Sequence, residues 1–106
     1  MPVSQGFGGS GLPGKTLKAW VHMTSAGAVL SSFNVTSVSA PGSGLYNVTF
    51  TAPMTGSDYI AIMTPSAGGN SNTGRLSGAT TAVATLQTVN LGGSGANVGG
   101  LWVFYE

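Results

Sequence analysis

Cysteine is absent from this 106-residue chain and charge is nearly so. Without cysteine there are no disulfide staples, no thiolate metal sites and no thiol nucleophile, so stability has to come from packing. Charge is confined to Lys15, Lys18, Arg75, Asp58 and Glu106, 5% of the residues, against about 25% in an average soluble domain. A surface with so little charge offers weak repulsion between free copies. Either Ser, Thr and Asn solvate it, or much of it lies against other subunits, where charge is costly to bury. The second alternative is favoured, because a domain of this size has a thin core and self-association remedies that.

Further absences exclude whole classes of function. The formal net charge of +1 comes from scattered residues, and a duplex binder needs a basic patch or stripe; no direct nucleic-acid binding is expected. No run approaches the length of a membrane helix, so no membrane insertion is expected. Met1 to Gly14 lacks both the charged and the apolar region of a signal peptide, so export by that route is not expected either. Asn34-Val35-Thr36 and Asn47-Val48-Thr49 match the glycosylation sequon, a short pattern that needs a secretory context.

What is present reads as strands. Residues 1–14, rich in glycine and proline, form a flexible arm with too little side chain for a core. Phe7 and Leu12 are its two anchors for a neighbouring subunit. From residue 15 to 106 the chain reads as one β domain. Leu17, Ala19, Val21 and Met23 alternate with Lys18, Trp20 and His22, the period-2 pattern of a half-buried strand, and the partly aromatic second set suggests that the outer face is covered too. Ser25-Ala26-Gly27 is a turn. Residues 28–39 suit one bent strand or two short ones, and Ala40-Pro41-Gly42-Ser43-Gly44 is the clearest turn signal. Tyr46, Val48 and Phe50 share one face of a strand over 45–51. Tyr59 to Met63 is another, bounded by Pro65. The threonine-rich stretch 79–91 favours strand over helix, and Leu101 to Tyr105 closes the chain. Residues 66–73 and 92–100 read as loops. The fold expected is all-β, a small antiparallel sandwich or barrel of roughly six to eight short strands behind the arm.

Gly9 to Thr16 satisfies the phosphate-binding loop pattern G-x-x-x-x-G-K-[ST] and is rejected. No strand precedes Gly9, Lys15 opens an alternating β segment instead of a helix, and Pro13 removes an N–H donor. With one histidine (His22) and two carboxylates, one chain cannot assemble a metal cluster or a catalytic pair, so no cofactor, metal or catalytic residue is expected. His22 reads as a polar strand residue, although three symmetry-related copies could meet a metal at a trimer axis. Glu106 reads as terminal and mobile. Most of the aromatic residues should be core. Trp102 and Phe104 fall on one face of the last strand, Val103 and Tyr105 on the other. Two apolar faces need two covers, which marks Trp102, Phe104 and Tyr105 as subunit-interface candidates.

Lys18-Ala19-Trp20-Val21, then Ser32 to Val38, then Gly42-Ser43-Gly44-Leu45-Tyr46-Asn47-Val48-Thr49-Phe50 with Met54, then Tyr59-Ile60-Ala61-Ile62, resemble a small β module of bacteriophage virion proteins. The module's pattern runs K-A-W-V, S-x-N-V-S-S-V, G-x-G-x-Y-x-V-x-F, and the resemblance covers residues 16–64 and the closing strand. It departs at His22, where the module usually has asparagine. The resemblance implies a non-enzymatic virion component made in the host cytoplasm. It would be a homo-oligomer, with a trimer favoured, contacting other phage capsid or tail proteins. Capsid decoration or cementing is one role. A tail-fibre tip contacting a bacterial surface glycan or protein through loops 66–74 and 92–100 is another. Apart from the resemblance, the aromatic residues with nearby Asn and Ser leave open a carbohydrate-binding module outside phages.

Overall fold

In the computed structural model, which describes residues 14–65, 73–89 and 97–106, the chain is all-β, a sandwich of two four-stranded antiparallel sheets. The first sheet holds β1 (Leu17–Met23), β2 (Val29–Phe33), β5 (Ile60–Pro65) and β8 (Gly100–Tyr105) in the order β2-β1-β8-β5. The second holds β3 (Val35–Gly42), β4 (Leu45–Phe50), β6 (Thr73–Ala79) and β7 (Val83–Val89) in the order β3-β4-β7-β6.

Alternation along each central strand decides which side chains meet between the sheets. Ala19, Val21 and Met23 of β1 and Trp102 and Phe104 of β8 face Tyr46, Val48 and Phe50 of β4 and Ala84 and Leu86 of β7, and all are buried. Phe50, Tyr59 and Phe104 pack edge to face, with centroids 5.2–6.4 Å apart, the geometry that the ring quadrupoles favour. Two tyrosines are deep in the core yet satisfied: the Tyr46 hydroxyl donates to the Ser25 carbonyl at 2.6 Å, and that of Tyr59 to the Thr80 carbonyl at 2.8 Å. Burial pushes both phenols above the ordinary tyrosine range, with hydrogen bonds opposing it.

The stretch 28–39 resolves into two strands in different sheets, and Asn34 is the switch. It takes φ of 59°, a left-handed conformation that asparagine tolerates better than other non-glycine residues. Its Nδ2 donates to the carbonyls of Lys18 and Ala52, both at 3.1 Å, while its Oδ1 accepts the Ala52 N–H at 2.7 Å. One side chain thus ties β1 to the segment after β4 at the corner where the chain changes sheets.

Two local expectations need correction. The turn expected over Ala40–Gly44 is confined to Ser43 and Gly44, because β3 continues through Pro41 to Gly42. Proline is accommodated there because β3 is an edge strand and its register shifts between Ser39 and Gly42, the two settings in which a missing N–H costs little. The second is β6, which two glycines hide from a strand reading. At Gly74 a Cβ would lie 2.6 Å from the Trp102 ring and 2.7 Å from Met63 Sδ, so the glycine makes room for the largest buried side chain.

Candidate assembly surface

The outer faces of the two sheets differ in how their apolar residues are arranged: on the second, Leu45 and Val83 are interleaved with polar residues. On the second sheet, Ser39 pairs with Asn47 and Asn47 with Thr85; Ser37 pairs with Thr49; Arg75 pairs with Gln87. These outward side chains also bond to one another. Thr85 Oγ1 donates to Asn47 Oδ1 at 3.1 Å, and the Arg75 guanidinium donates twice to Gln87 Oε1, at 3.0 and 2.6 Å.

On the first sheet, Phe33 of β2 stands opposite Trp20 of β1, Trp20 opposite Val103 of β8, and Val103 opposite Ile62 of β5. Directly opposed residues share a face, so an apolar row crosses all four strands on the outside. Tyr105 and Ile60 form a shorter second row. At the row's ends Phe33 is 52% and Ile62 44% exposed, and Leu30, also on β2, is 60% exposed. All five large hydrophobic residues that stand exposed among the described residues (Val29, Leu30, Phe33, Ile60 and Ile62) belong to this sheet.

The residues singled out from the sequence divide across this picture. Trp102 and Phe104, read as subunit-interface candidates, are fully buried between the chain's own sheets, whereas Tyr105 reaches the outer face and is half-buried there. Phe7 and Leu12 lie outside the described residues, as do most residues of the expected loops 66–74 and 92–100; of their described residues, Thr73 and Gly74 belong to β6 and Gly100 to β8 instead. Trp20 and Phe33, counted among mostly core aromatics, stand on the outer face instead. The alternation had already placed Trp20 there; Phe33 is opposite it, and only the strand pairing reveals that. Ile60 and Ile62 drew no attention as surface residues, although Ala61 and Met63 between them take the inward positions.

The polar candidates are also placed. His22 is half-buried on the outer face between Ser31 and Leu101. Of the phosphate-loop match, Gly14 to Thr16 are described; Thr16 pairs its backbone with that of Glu106 at 3.0 and 2.9 Å and leads into β1. The reading of Glu106 as mobile is corrected. Besides that pairing, its Oε2 accepts the N–H groups of Thr55 at 2.7 Å and Gly56 at 2.9 Å. The bond from Gly56 foremost, against an opposing contribution from burial, holds the carboxyl below the ordinary glutamate range, and Lys18 adds to the lowering. Asn34, the first residue of one sequon, spends its amide on the corner. Among the described residues no three His, Asp or Glu side chains gather where they could share a metal ion.

This arrangement is equipped to bind by apolar contact. Comparison with protein-family models, with curated proteins and with solved structures finds no match to the chain.

Proposed function

We propose that the chain is a non-enzymatic structural subunit of a bacteriophage virion, a capsid decoration or cement protein acting as a homo-oligomer, with a trimer favoured. The observation that carries the assembly part is the apolar row that crosses all four strands on the outer face of the first sheet, together with the exposed large hydrophobic residues that the described chain keeps on that sheet. Exposed apolar patches rimmed by polar residues mark interaction surfaces, and a chain with five charged residues has little means of keeping such a face apart from its partners. The phage attribution is supported by the resemblance of residues 16–64 to a virion module. In this role the arm over residues 1–14 grips a lattice neighbour.

One feature favours a second reading, a fibre tip or carbohydrate-binding module. Trp20, Phe33 and Tyr105 bring three aromatic rings to the outer face, and rings can stack on sugars. Sugar recognition also needs convergent polar groups; His22 and Ser31 flank the rings at one end, whereas Val103, Ile60 and Ile62, the other neighbours, supply none. Assembly is therefore the better fit.

Antibody labelling of phage particles from a lysate that contains this chain tests the proposal. Label over the capsid shell is the expected result. Label at the tail tip would move the protein to the fibre reading, and particles without label would overturn the virion assignment.

A further inference from the structure

Four strands form the edges of the two sheets, and three of them are guarded. β5 and β6 lie against one another and close one side of the sandwich; β5 also ends on Pro65, and β6 carries Arg75. On the other side β3 contains Pro41 and two register shifts. Proline, charge and bulges are the usual means of stopping an edge from pairing with another chain. β2 lacks both charge and proline. Its sequence is Val-Leu-Ser-Ser-Phe, every residue is exposed, and its one irregularity lies at the Val29 end, which leaves Ser31 to Phe33 in regular register.

We propose that β2 is the strand through which copies of this chain pair, antiparallel edge to edge, so that the first sheet continues from one copy into the next. The inference rests on the reading above that copies of the chain assemble, and it names a twofold contact, which makes pairs and stands in place of the trimer favoured there. A second copy is the occupant that the charge distribution fits. In a twofold contact each residue comes near its own counterpart, so any ionised side chain at the edge repels itself. No Asp, Glu, Lys or Arg occurs between Lys18 and Asp58, which leaves β2 free of that penalty. The apolar row also ends on Phe33, and pairing at β2 carries it onward instead of stopping it in water. The open parts of Val29, Leu30 and Phe33 come to about 600 Å² over the pair, taking roughly 200 Å² for a large apolar side chain. That is below the area of a stable standard interface, so the contact is weak and depends on concentration.

Hydrogen exchange of the full chain, measured by NMR at low and high protein concentration beside the sedimentation mass, tests this. An edge strand leaves alternate N–H groups pointing outward. Those of Val29–Phe33 should gain at least ~tenfold protection as the mass rises with concentration. Ser32→Lys, at an exposed edge position where the ammonium stays in water, should hold β2 at its dilute rate and the mass at that of a monomer. Ser39→Lys on β3 should behave as the wild type. Protection that is independent of concentration would overturn the proposal in favour of a cover from the chain's own N-terminal residues. A rise in mass without protection of β2 would place the contact elsewhere and leave the assembly reading standing. A monomer at every concentration would remove the self-contact, and particle labelling would still decide the virion reading separately.

Discussion

Asn34 does work that no other residue type can take over fully. It combines a left-handed backbone with three side-chain hydrogen bonds across a sheet-to-sheet corner. Asn34→Ala loses the bonds and strains the backbone, and should cost about 4 kcal/mol in urea unfolding, from net values near 1 kcal/mol for each of the three bonds and a similar cost for the left-handed turn. Asn34→Gly relieves the backbone alone and should recover about 1 kcal/mol of that. If the two variants are equally stable, strain plays no part at this corner. Gly74 and Gly100 set a comparable contrast. A methyl at Gly74 meets the Trp102 ring and the flexible end of Met63, whereas one at Gly100 meets the Thr64 carbonyl oxygen and Pro65 Cα in the paired backbone. Gly74→Ala should therefore cost about 1–3 kcal/mol with a changed tryptophan emission. Gly100→Ala should cost more, because β5 and β8 must part for it to fit. Equal losses in denaturant titrations would show that the side chains around Gly74 yield no better than backbone does.

At the scale of the element, strands with strict alternation were legible. Leu17–Met23 and Leu45–Phe50 have the faces their patterns predict, since a half-buried strand must segregate apolar from polar with period 2. What stayed hidden depends on partners distant in sequence. The division of 28–39 hinges on an asparagine whose bonds go to Lys18 and Ala52. β6 is a strand because β7 pairs with it and Trp102 requires its glycine, and neither fact is local. The hold on Glu106 is of the same kind. Its carboxylate accepts N–H groups from a loop about fifty positions earlier, while its backbone pairs with Thr16. Because the folded carboxyl sits below its ordinary range, the ionised form stabilises the fold. That contribution is complete above the unfolded glutamate range and fades as pH falls through the lowered value. Glu106→Gln should lower the melting temperature at neutral pH, with the gap to wild type closing in acid. A constant gap across that range would assign the effect to lost packing instead of charge.

For the molecule as a whole, the sandwich separates what folds it from what it can bind. Inward positions of the central strands form one continuous core, and the row from Phe33 through Trp20 and Val103 to Ile62 on the outside of the first sheet is apolar without belonging to it. This surface was only half legible. Tyr105 does stand on the outer face, but Trp102 and Phe104 looked equally available because a single strand cannot say which of its faces meets the second sheet. The separation predicts independent losses. Phe33→Ser together with Ile62→Ser removes the two ends of the apolar row and should leave urea stability within about 0.5 kcal/mol of wild type, as for other surface changes. Binding of an apolar dye and self-association should both fall. Val48→Ala, deep between the sheets, should do the reverse, costing about 2–3 kcal/mol through the cavity it leaves while the folded fraction keeps its association. Should the double serine variant unfold as readily as the Val48 variant, the outer row would belong to the fold's own stability, and a surface for partners would have to be sought on the second sheet or in residues 1–13.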